Sequence, residues 1–142
     1  MTRKKILVPF GPDGKDLKCV HHALALAERL DAGVVIVQWG RRTDSPASGA
    51  RWVQETLEEV IADARLAGLP VTHMTVSGPT DDEIASLIED EVVDLVVLDA
   101  DRRQLESIVL RHFPRLSGNI IRVREKEPMN QSVEEDGRRW LS

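Results

Sequence analysis

Short apolar runs alternate with longer amphipathic stretches along this chain, beginning at Lys5. The runs are rich in valine, isoleucine and leucine, which predicts β-strands at residues 5–10, 34–39, 71–76, 94–99 and 119–123. They are apolar at nearly every position rather than at alternate ones. Strands of that kind are buried on both faces, as in a parallel sheet that helices cover on either side.

The stretches between these runs place apolar residues three and four positions apart, which is the spacing of one face of an α-helix. This spacing predicts helices at residues 16–30, 50–67, 80–91 and 103–113. Gly68 follows the second helix, where glycine readily adopts the left-handed conformation of a helix end. Thr80 and Glu83 form a capping box at the start of the third helix.

The alternation of strands and helices predicts one α/β domain. We expect a three-layer α/β/α arrangement, in which helices cover both faces of an open sheet of five parallel strands, over residues 1–124. Residues 125–142 have no apolar period before Trp140 and Leu141 and are predicted to form a flexible C-terminal tail. In a sheet of this type, ligands bind beyond the carboxyl ends of the strands, where the strand order reverses.

The composition narrows the class of protein. Hydrophobic residues make up 42% and charged residues 30% of the chain, which is typical of a globular domain. The net charge of −5 argues against a surface for nucleic acid or an anionic membrane. We find neither a signal peptide after Met1 nor a membrane-spanning apolar run, and the single cysteine, Cys19, fits a reducing compartment. A cytoplasmic protein is therefore expected.

Four segments resemble the universal stress protein family in their order and spacing. They are "KKILVPF", "DLKCVHHALALAERLDAGVVIVQW", "SGPTDDEIASLIEDEVVDLVVLDA" and "VLRHFPRLSGNIIRVRE". The more specific parts are "VSGPTDDEI" after the third strand and "VLRHFP" before the fifth, and the resemblance covers residues 4–124. It implies the strand order 3-2-1-4-5, homodimers formed through the last strand, and a cytoplasmic role in stress tolerance.

The ATP-binding members of this family have an aspartate just after strand one, which contacts the base, and a glycine-rich loop after strand four. Glycines in such a loop let backbone N–H groups approach phosphates at the N-terminus of a helix. Here Gly11 aligns with the aspartate, Asp13 is displaced by two positions, and the next glycine after strand four is Gly118. The resemblance therefore implies a member without the ATP-binding glycine motif, and we expect no cofactor.

Charged residues at the carboxyl edge leave other interpretations open. Asp13, Asp99 and Asp101 carry the oxygen ligands of a divalent-cation site, but we favour acids placed near the positive ends of helix dipoles. Arginines after strands two and four have the forked geometry that binds phosphate, although arginines beside aspartates more often form solvated ion pairs. The ligand-binding residues of the anion-site alternative are Gly11, Asp13, Arg41, Arg42, Asp99, Arg102 and Arg103.

The first helix also carries Cys19, His21 and His22. Cys19 and His22 lie one helical turn apart, but zinc requires four ligands and no second pair is present. A buried thiol beside a surface histidine is the favoured interpretation. His73 and His112 are isolated in the sequence, so we expect neither a metal site nor catalytic activity.

The fifth strand is expected at an edge of the sheet, where exposed backbone groups invite pairing with a second chain. The residues predicted to form a homodimer interface are Ile120, Ile121, Arg122, Val123 and Arg124. The alternative is that the two arginines act as gatekeeping charges. The main hypothesis is a dimeric regulatory or interaction module of the stress response that does not bind ATP. The alternative hypothesis is a nucleotide or anion sensor that uses the arginines.

Overall fold

The structure, a computed structural model, describes residues 4–11, 16–39, 48–76 and 81–124. Strands and helices alternate through these ranges. They are β1 (Lys5–Phe10), α1 (Leu17–Leu30), β2 (Gly33–Trp39), α2 (Ser48–Leu66), β3 (Val71–Val76), α3 (Asp81–Glu91), β4 (Leu95–Asp99), α4 (Arg103–His112), a 3-10 turn (Pro114–Leu116) and β5 (Ile120–Val123). The predicted tail, residues 125–142, lies outside the described residues.

All five strands are parallel and are ordered β3-β2-β1-β4-β5. The predicted α/β fold and its strand order are therefore confirmed. The chain leaves β1 toward β2 on one side and returns to β4 on the other. The strand order thus reverses between β1 and β4, and their carboxyl ends form the place where such sheets bind ligands.

Two apolar layers, one on each face of the sheet, form the core. Helices α1 and α2 pack on one face, and α3 and α4 pack on the other. The apolar residues that repeat at three-and-four spacing along the helices face the sheet. Those that are buried are Val20, Ala27, Leu57, Ile61, Ala64, Ile84, Ile88, Leu105, Ile108 and Val109, and those that are partly buried are Leu17, Leu24, Val53, Val60 and Leu87. His112 at the end of α4 is exposed.

The ladder between β1 and β4 is shorter than the ladder between β1 and β2. It ends at the pair Leu7 and Val96, whereas β1 stays in register with β2 to its last residue. Carbonyls alternate along a strand, and that of Lys5 accepts a hydrogen bond from Asp94 on the β4 side. The backbone groups of Pro9 point toward β4, like those of Lys5, because the two residues are an even number of positions apart. Pro9, however, has no N–H to donate. Pro9 therefore cannot donate a backbone hydrogen bond to β4 beyond Leu7.

The ends of the elements differ slightly from the predicted ones. Helix α1 begins at Leu17 rather than Asp16, and α4 ends at His112 with Phe113 outside it. The 3-10 turn before β5 was not predicted, and Pro114 begins it. Gly68 has a φ of 93°, which confirms its position after a helix end. None of the helices in the described residues is long and apolar enough to cross a membrane.

Candidate functional site

A buried carboxylate, that of Asp16, occupies the carboxyl edge between β1 and β4. One of its oxygens, Oδ2, accepts hydrogen bonds from the N–H of Gly11 at 2.8 Å and from Nη2 of Arg102 at 2.7 Å. Its other oxygen, Oδ1, lies 3.3 Å from Nε of Arg102. Asp16 is 0% exposed. The sequence placed this residue in the first turn of α1, and its role in the site was missed because its partner is 86 positions away.

The guanidinium of Arg102 lies over an aromatic ring and also pairs with Asp16. Its guanidinium carbon is 5.3 Å from the ring centroid of Trp39, which is the last residue of β2. Its backbone N–H donates to the carbonyl of Asp99 at 2.9 Å, so the turn after β4 fixes where the side chain starts. The Arg102 side chain is 22% exposed. Arg102 therefore joins three strand ends through an ion pair, a cation–π contact and a turn.

Gly11 is a position where any side chain would collide with this arrangement. A Cβ added there would lie 2.7 Å from Nη2 of Arg102 and 3.3 Å from Cζ2 of Trp39. Real Cβ atoms essentially never approach other atoms to 2.7 Å. The space that an aspartate would need after β1 is therefore filled by the guanidinium of Arg102.

Asp99, at the end of β4, is also buried and paired. Its Oδ2 lies 2.7 Å from Nζ of Lys18 on α1, and its Oδ1 accepts the N–H of Asp101 at 2.8 Å. The side chain of Asp99 is only 5% exposed, and the residue lies four positions before the start of α4, so it is a buried and paired acid. Sequence analysis did not single out Lys18, since a lysine near a helix start is an ordinary surface residue.

The thiol of Cys19 lies close to these charges but is not poised for reaction. Burial, followed by the negative charge of Asp16, raises the pKa of Cys19 to about 12. The prediction of a buried thiol is confirmed, and His21 and His22 on the same helix are exposed. A thiol with such a pKa has almost no thiolate at neutral pH and is a poor nucleophile or metal ligand.

Only two of the four arginines of the predicted anion site, Arg102 and Arg103, are among the described residues. Arg41, Arg42 and also Asp13 lie outside the described residues. Arg102 and Arg103 are neighbours in sequence but diverge, because Arg102 turns to Asp16 while Arg103 lines a groove on the other side of α4. The anion site built from all four arginines therefore stays a prediction. Among the described residues, no group of three His, Cys, Asp or Glu side chains is arranged to hold a metal ion.

The groove that contains Arg103 runs between α4 and β5. It is an open surface feature lined by Ala100, Arg103, Glu106, Ser107, Leu110, Arg111, Arg122 and Arg124. Nε of Arg122 donates to Oε1 and Oε2 of Glu106 at 2.9 and 3.0 Å, and Nη2 of Arg122 also donates to Oε2. These hydrogen bonds are the main cause of a lowered pKa of Glu106. Arg122 and Arg124, predicted at a dimer interface, thus also belong to a basic groove.

A small apolar cavity lies on the α3 and α4 face of the sheet, beside the site. It is lined by Leu7, Pro9, Val37, Trp39, Ile84, Leu87, Leu98, Leu105 and Val109 and has a volume of about 20 Å³. That volume is close to the minimum for one water molecule, and an apolar lining does not favour water. The cavity is therefore a packing defect under Trp39 rather than a pocket for a nucleotide.

The family model of the universal stress protein family matches residues 2–117. No curated protein matches the chain significantly. Among solved structures, a universal stress protein in complex with cAMP is similar with 22% identity and a TM-score of 0.54, over 88% of this chain and 100% of that one. UspA from Lactobacillus plantarum has 17% identity and a TM-score of 0.52, over 89% of this chain and 100% of that one. A universal stress family protein from Burkholderia pseudomallei has 16% identity and a TM-score of 0.50, over 84% and 95%.

Proposed function

The chain belongs to the universal stress protein family, and from that premise we propose that it is a regulatory or interaction module of the stress response that does not bind ATP. It is thus a stress-related protein with the family's α/β fold. The proposed loss of ATP binding rests on the geometry of the carboxyl edge between β1 and β4.

The observation that carries this proposal is the position of Arg102. The family resemblance places the contact to the ATP base at residue 11, and there the guanidinium of Arg102 takes the space that a side chain would occupy. A base could enter only if Arg102 moved away from Asp16. Breaking a buried ion pair costs about 3–5 kcal/mol. That cost corresponds to weakening of ATP binding by about 10²- to 4 × 10³-fold.

The phosphate side of the edge gives further support. The residues that follow β4 are Ala100, Asp101 and Arg102, and α4 begins at Arg103 without a glycine-rich loop. The Oδ1 of Asp99 already accepts the N–H of Asp101. This backbone N–H is thus turned toward a carboxylate instead of a phosphate, and the carboxylate charge also opposes an anionic ligand.

A nucleotide titration read by Trp39 tests the proposal. A variant with Trp52→Phe and Trp140→Phe keeps Trp39 as its one tryptophan. Trp52 is 61% exposed, so its replacement disturbs no core contact. With ATP and magnesium added to millimolar concentration, we expect no saturable change in Trp39 emission and no calorimetric heat of binding from the unaltered chain.

Two further variants show whether Trp39 emission responds to a change at this site, so that an unchanged signal on adding ATP has a meaning. Arg102→Ala in the Trp39-only background should alter Trp39 emission, because it removes the guanidinium stacked on the ring. Arg103→Ala should leave the emission unchanged, since Arg103 lies in the groove beyond α4. If the unaltered chain bound ATP saturably at micromolar concentration, the proposed loss of ATP binding would be wrong.

One specific observation favours a second candidate function, a nucleotide or anion sensor. A structural relative is in complex with cAMP, a nucleotide with one phosphate, which does not need a loop shaped for a triphosphate. Arg102 is partly exposed and could turn its guanidinium toward such a phosphate. Titration of the Trp39-only variant with cAMP tests this candidate. Saturable binding that Arg102→Ala abolishes would support the sensor, and silence at millimolar cAMP would remove it.

We also propose that the protein acts in the cytoplasm, without catalysis, as a homodimer paired through β5. Support for pairing comes from the position of β5 at one end of the sheet. Arg122, which points from this strand, has its charge matched by Glu106 within the same chain, so it repels a second β5 less than an unpaired arginine would. Light scattering at micromolar concentration tests the dimer, and a monomeric mass would contradict it.

A further inference from the structure

The groove between α4 and β5 has a charge opposite to that of the chain. Its lining contains four guanidinium groups and one carboxylate, and Glu106 is held by Arg122. The formal charges of the lining residues therefore sum to +3, while the whole chain has a net charge of −5. A local excess of this sign on an acidic protein is the feature of a surface that receives an acidic partner.

The groove also has the shape of a surface for an extended segment. Helix α4 spans ten residues and β5 four, so the groove is roughly 15 Å long. Leu110 and Ala100 add apolar contact area between the arginines, and the Ser107 hydroxyl can donate or accept a hydrogen bond. A short peptide backbone with acidic side chains fits such a lining.

The sequence supplies an acidic segment directly downstream. Arg124 lines the groove, and eighteen residues follow it, with the run Glu-Glu-Asp at positions 134–136. The nine residues 125–133 can span up to about 30 Å, twice the length of the groove. We propose that this groove binds the acidic segment at residues 134–136 of the same chain, through forked contacts from Arg103 and Arg124 to its carboxylates.

The short connection favours binding within one chain over binding between chains. A connection of nine residues gives the tethered segment an effective concentration on the order of millimolar. Contacts between carboxylates and exposed guanidinium groups are individually weak and are screened by salt. The segment should therefore occupy the groove at low ionic strength and leave it as the salt concentration rises. This binding goes beyond the proposed function, since it concerns the α4 side of β5.

A spin label at position 132 tests the proposal in the full chain. Ser132→Cys gives one reactive thiol, because Cys19 is buried with a pKa raised to about 12. With a nitroxide attached there, we expect the amide resonances of residues 103–111 and 120–124 to lose at least half of their intensity at low salt. The triple variant E134K/E135K/D136K should restore that intensity.

A control with the same change in net charge separates local binding from a general charge effect. The triple variant E55K/E59K/D63K reverses three exposed acids on α2 and should leave the broadening intact. Three results would each overturn the proposal. One is the absence of broadening; another is broadening that survives E134K/E135K/D136K; the third is broadening found when spin-labelled and isotope-labelled chains are separate molecules. If only millimolar inorganic phosphate perturbs the groove amides, the groove is a small-anion site instead.

Discussion

At the scale of single residues, the Asp16 carboxylate organises the carboxyl edge of the sheet. It accepts hydrogen bonds from Gly11 after β1 and from Arg102 after β4. It therefore joins two strands whose own ladder has already ended at Leu7 and Val96. A fully buried carboxylate is costly unless its oxygens are paired. The positions of Asp16 and Arg102 are thus interdependent.

Arg102→Ala should destabilise the protein far more than Arg103→Ala. Removal of Arg102 leaves the buried Asp16 without its ion-pair partner, and we expect a loss of about 3 kcal/mol, the lower end of the usual range because Arg102 is partly exposed. Arg103→Ala should change the free energy of unfolding by less than about 0.5 kcal/mol. Urea unfolding of both variants measures the difference, and equal effects would show that the Asp16 pair is not structural.

Gly11→Ala should destabilise the protein by about 1–3 kcal/mol, because the new methyl group would overlap Nη2 of Arg102. The cost should fall when the arginine is absent. The combined variant G11A/R102A should therefore be more stable than the sum of the two single effects predicts. Additive effects in a double-mutant cycle would mean that Gly11 and Arg102 do not compete for the same space.

Cys19 should make stability depend on pH at the alkaline end. Its pKa is 9.0 when unperturbed and about 12 in the folded chain. The unfolded thiol thus loses its proton first, and the contribution of Cys19 to stability is present below pH 9 and is lost as the pH rises toward 12. Cys19→Ala should give a flatter decline of unfolding free energy across that range than the unaltered chain. An identical slope would contradict the raised pKa.

Residue roles at this edge could be predicted only in part from the sequence. The missing glycine-rich loop is visible in consecutive residues, and so is the glycine at position 11. The pairing of Asp16 with Arg102 is not, because these residues are 86 positions apart and no periodicity relates them. The sequence therefore shows that no glycine lies between Asp99 and Gly118, while only the structure shows that Arg102 lies beside Gly11 and pairs with Asp16.

At the scale of elements, three helices end in the left-handed region of backbone conformation. The residues there are Asp31 after α1, Gly68 after α2 and Val92 after α3, with φ of 57°, 93° and 55°. Glycine takes this conformation without strain, and aspartate tolerates it better than most residues. Valine is β-branched and is strained there. The end of α3 is therefore the least favourable of the three.

Val92→Gly should stabilise the protein by about 1 kcal/mol, since it relieves the left-handed strain at an exposed site. Asp31→Gly should give a smaller gain because aspartate is less strained in this conformation. Thermal unfolding of the two variants gives the comparison. A loss of stability in Val92→Gly would indicate that the exposed valine side chain makes a contact that outweighs its backbone strain.

The existence of each element follows from local sequence, whereas some of its ends do not. The spacing of apolar residues identifies every strand and every α-helix in the described residues. Each element must bury its own apolar residues, so the signal lies within the segment itself. Gly68 follows the end of α2, and the predicted left-handed conformation of this glycine is confirmed. The end of α3 carries Val92, which gives no sequence signal, and the 3-10 turn at Pro114–Leu116 is too short to have a periodic pattern.

At the scale of the whole molecule, the two ends of the sheet have different surroundings. Strand β3 forms one edge, and β5, with the basic groove beside it, forms the other. The carbonyls of Asn119 and Val123 accept hydrogen bonds from Val96 and Ala100 of the β4 segment. Because backbone groups alternate along a strand, the N–H and carbonyl of Arg122 face away from β4. These groups are the ones that a second β5 would pair with.

Arg122→Pro should weaken the proposed dimer, because proline removes the outward-facing N–H while leaving the ladder to β4 intact. Arg122→Ala is the matched control, since it removes the same side chain and its ion pair with Glu106 but keeps the N–H. We expect sedimentation velocity to show a dissociation constant at least tenfold higher for the proline variant than for the alanine variant. Equal constants would place the interface elsewhere.

The contact between Gly11 and Arg102 finally restricts how this sequence can evolve. Aspartate at position 11 would bring a Cβ to 2.7 Å from the guanidinium of Arg102. Replacing Arg102 first would leave the buried Asp16 without its ion-pair partner. Each of these changes is thus penalised singly, and an aspartate at position 11 would not give Asp16 a new partner once Arg102 was gone. Among related sequences, glycine after β1 and arginine after β4 should accordingly be inherited together with the buried aspartate that both contact.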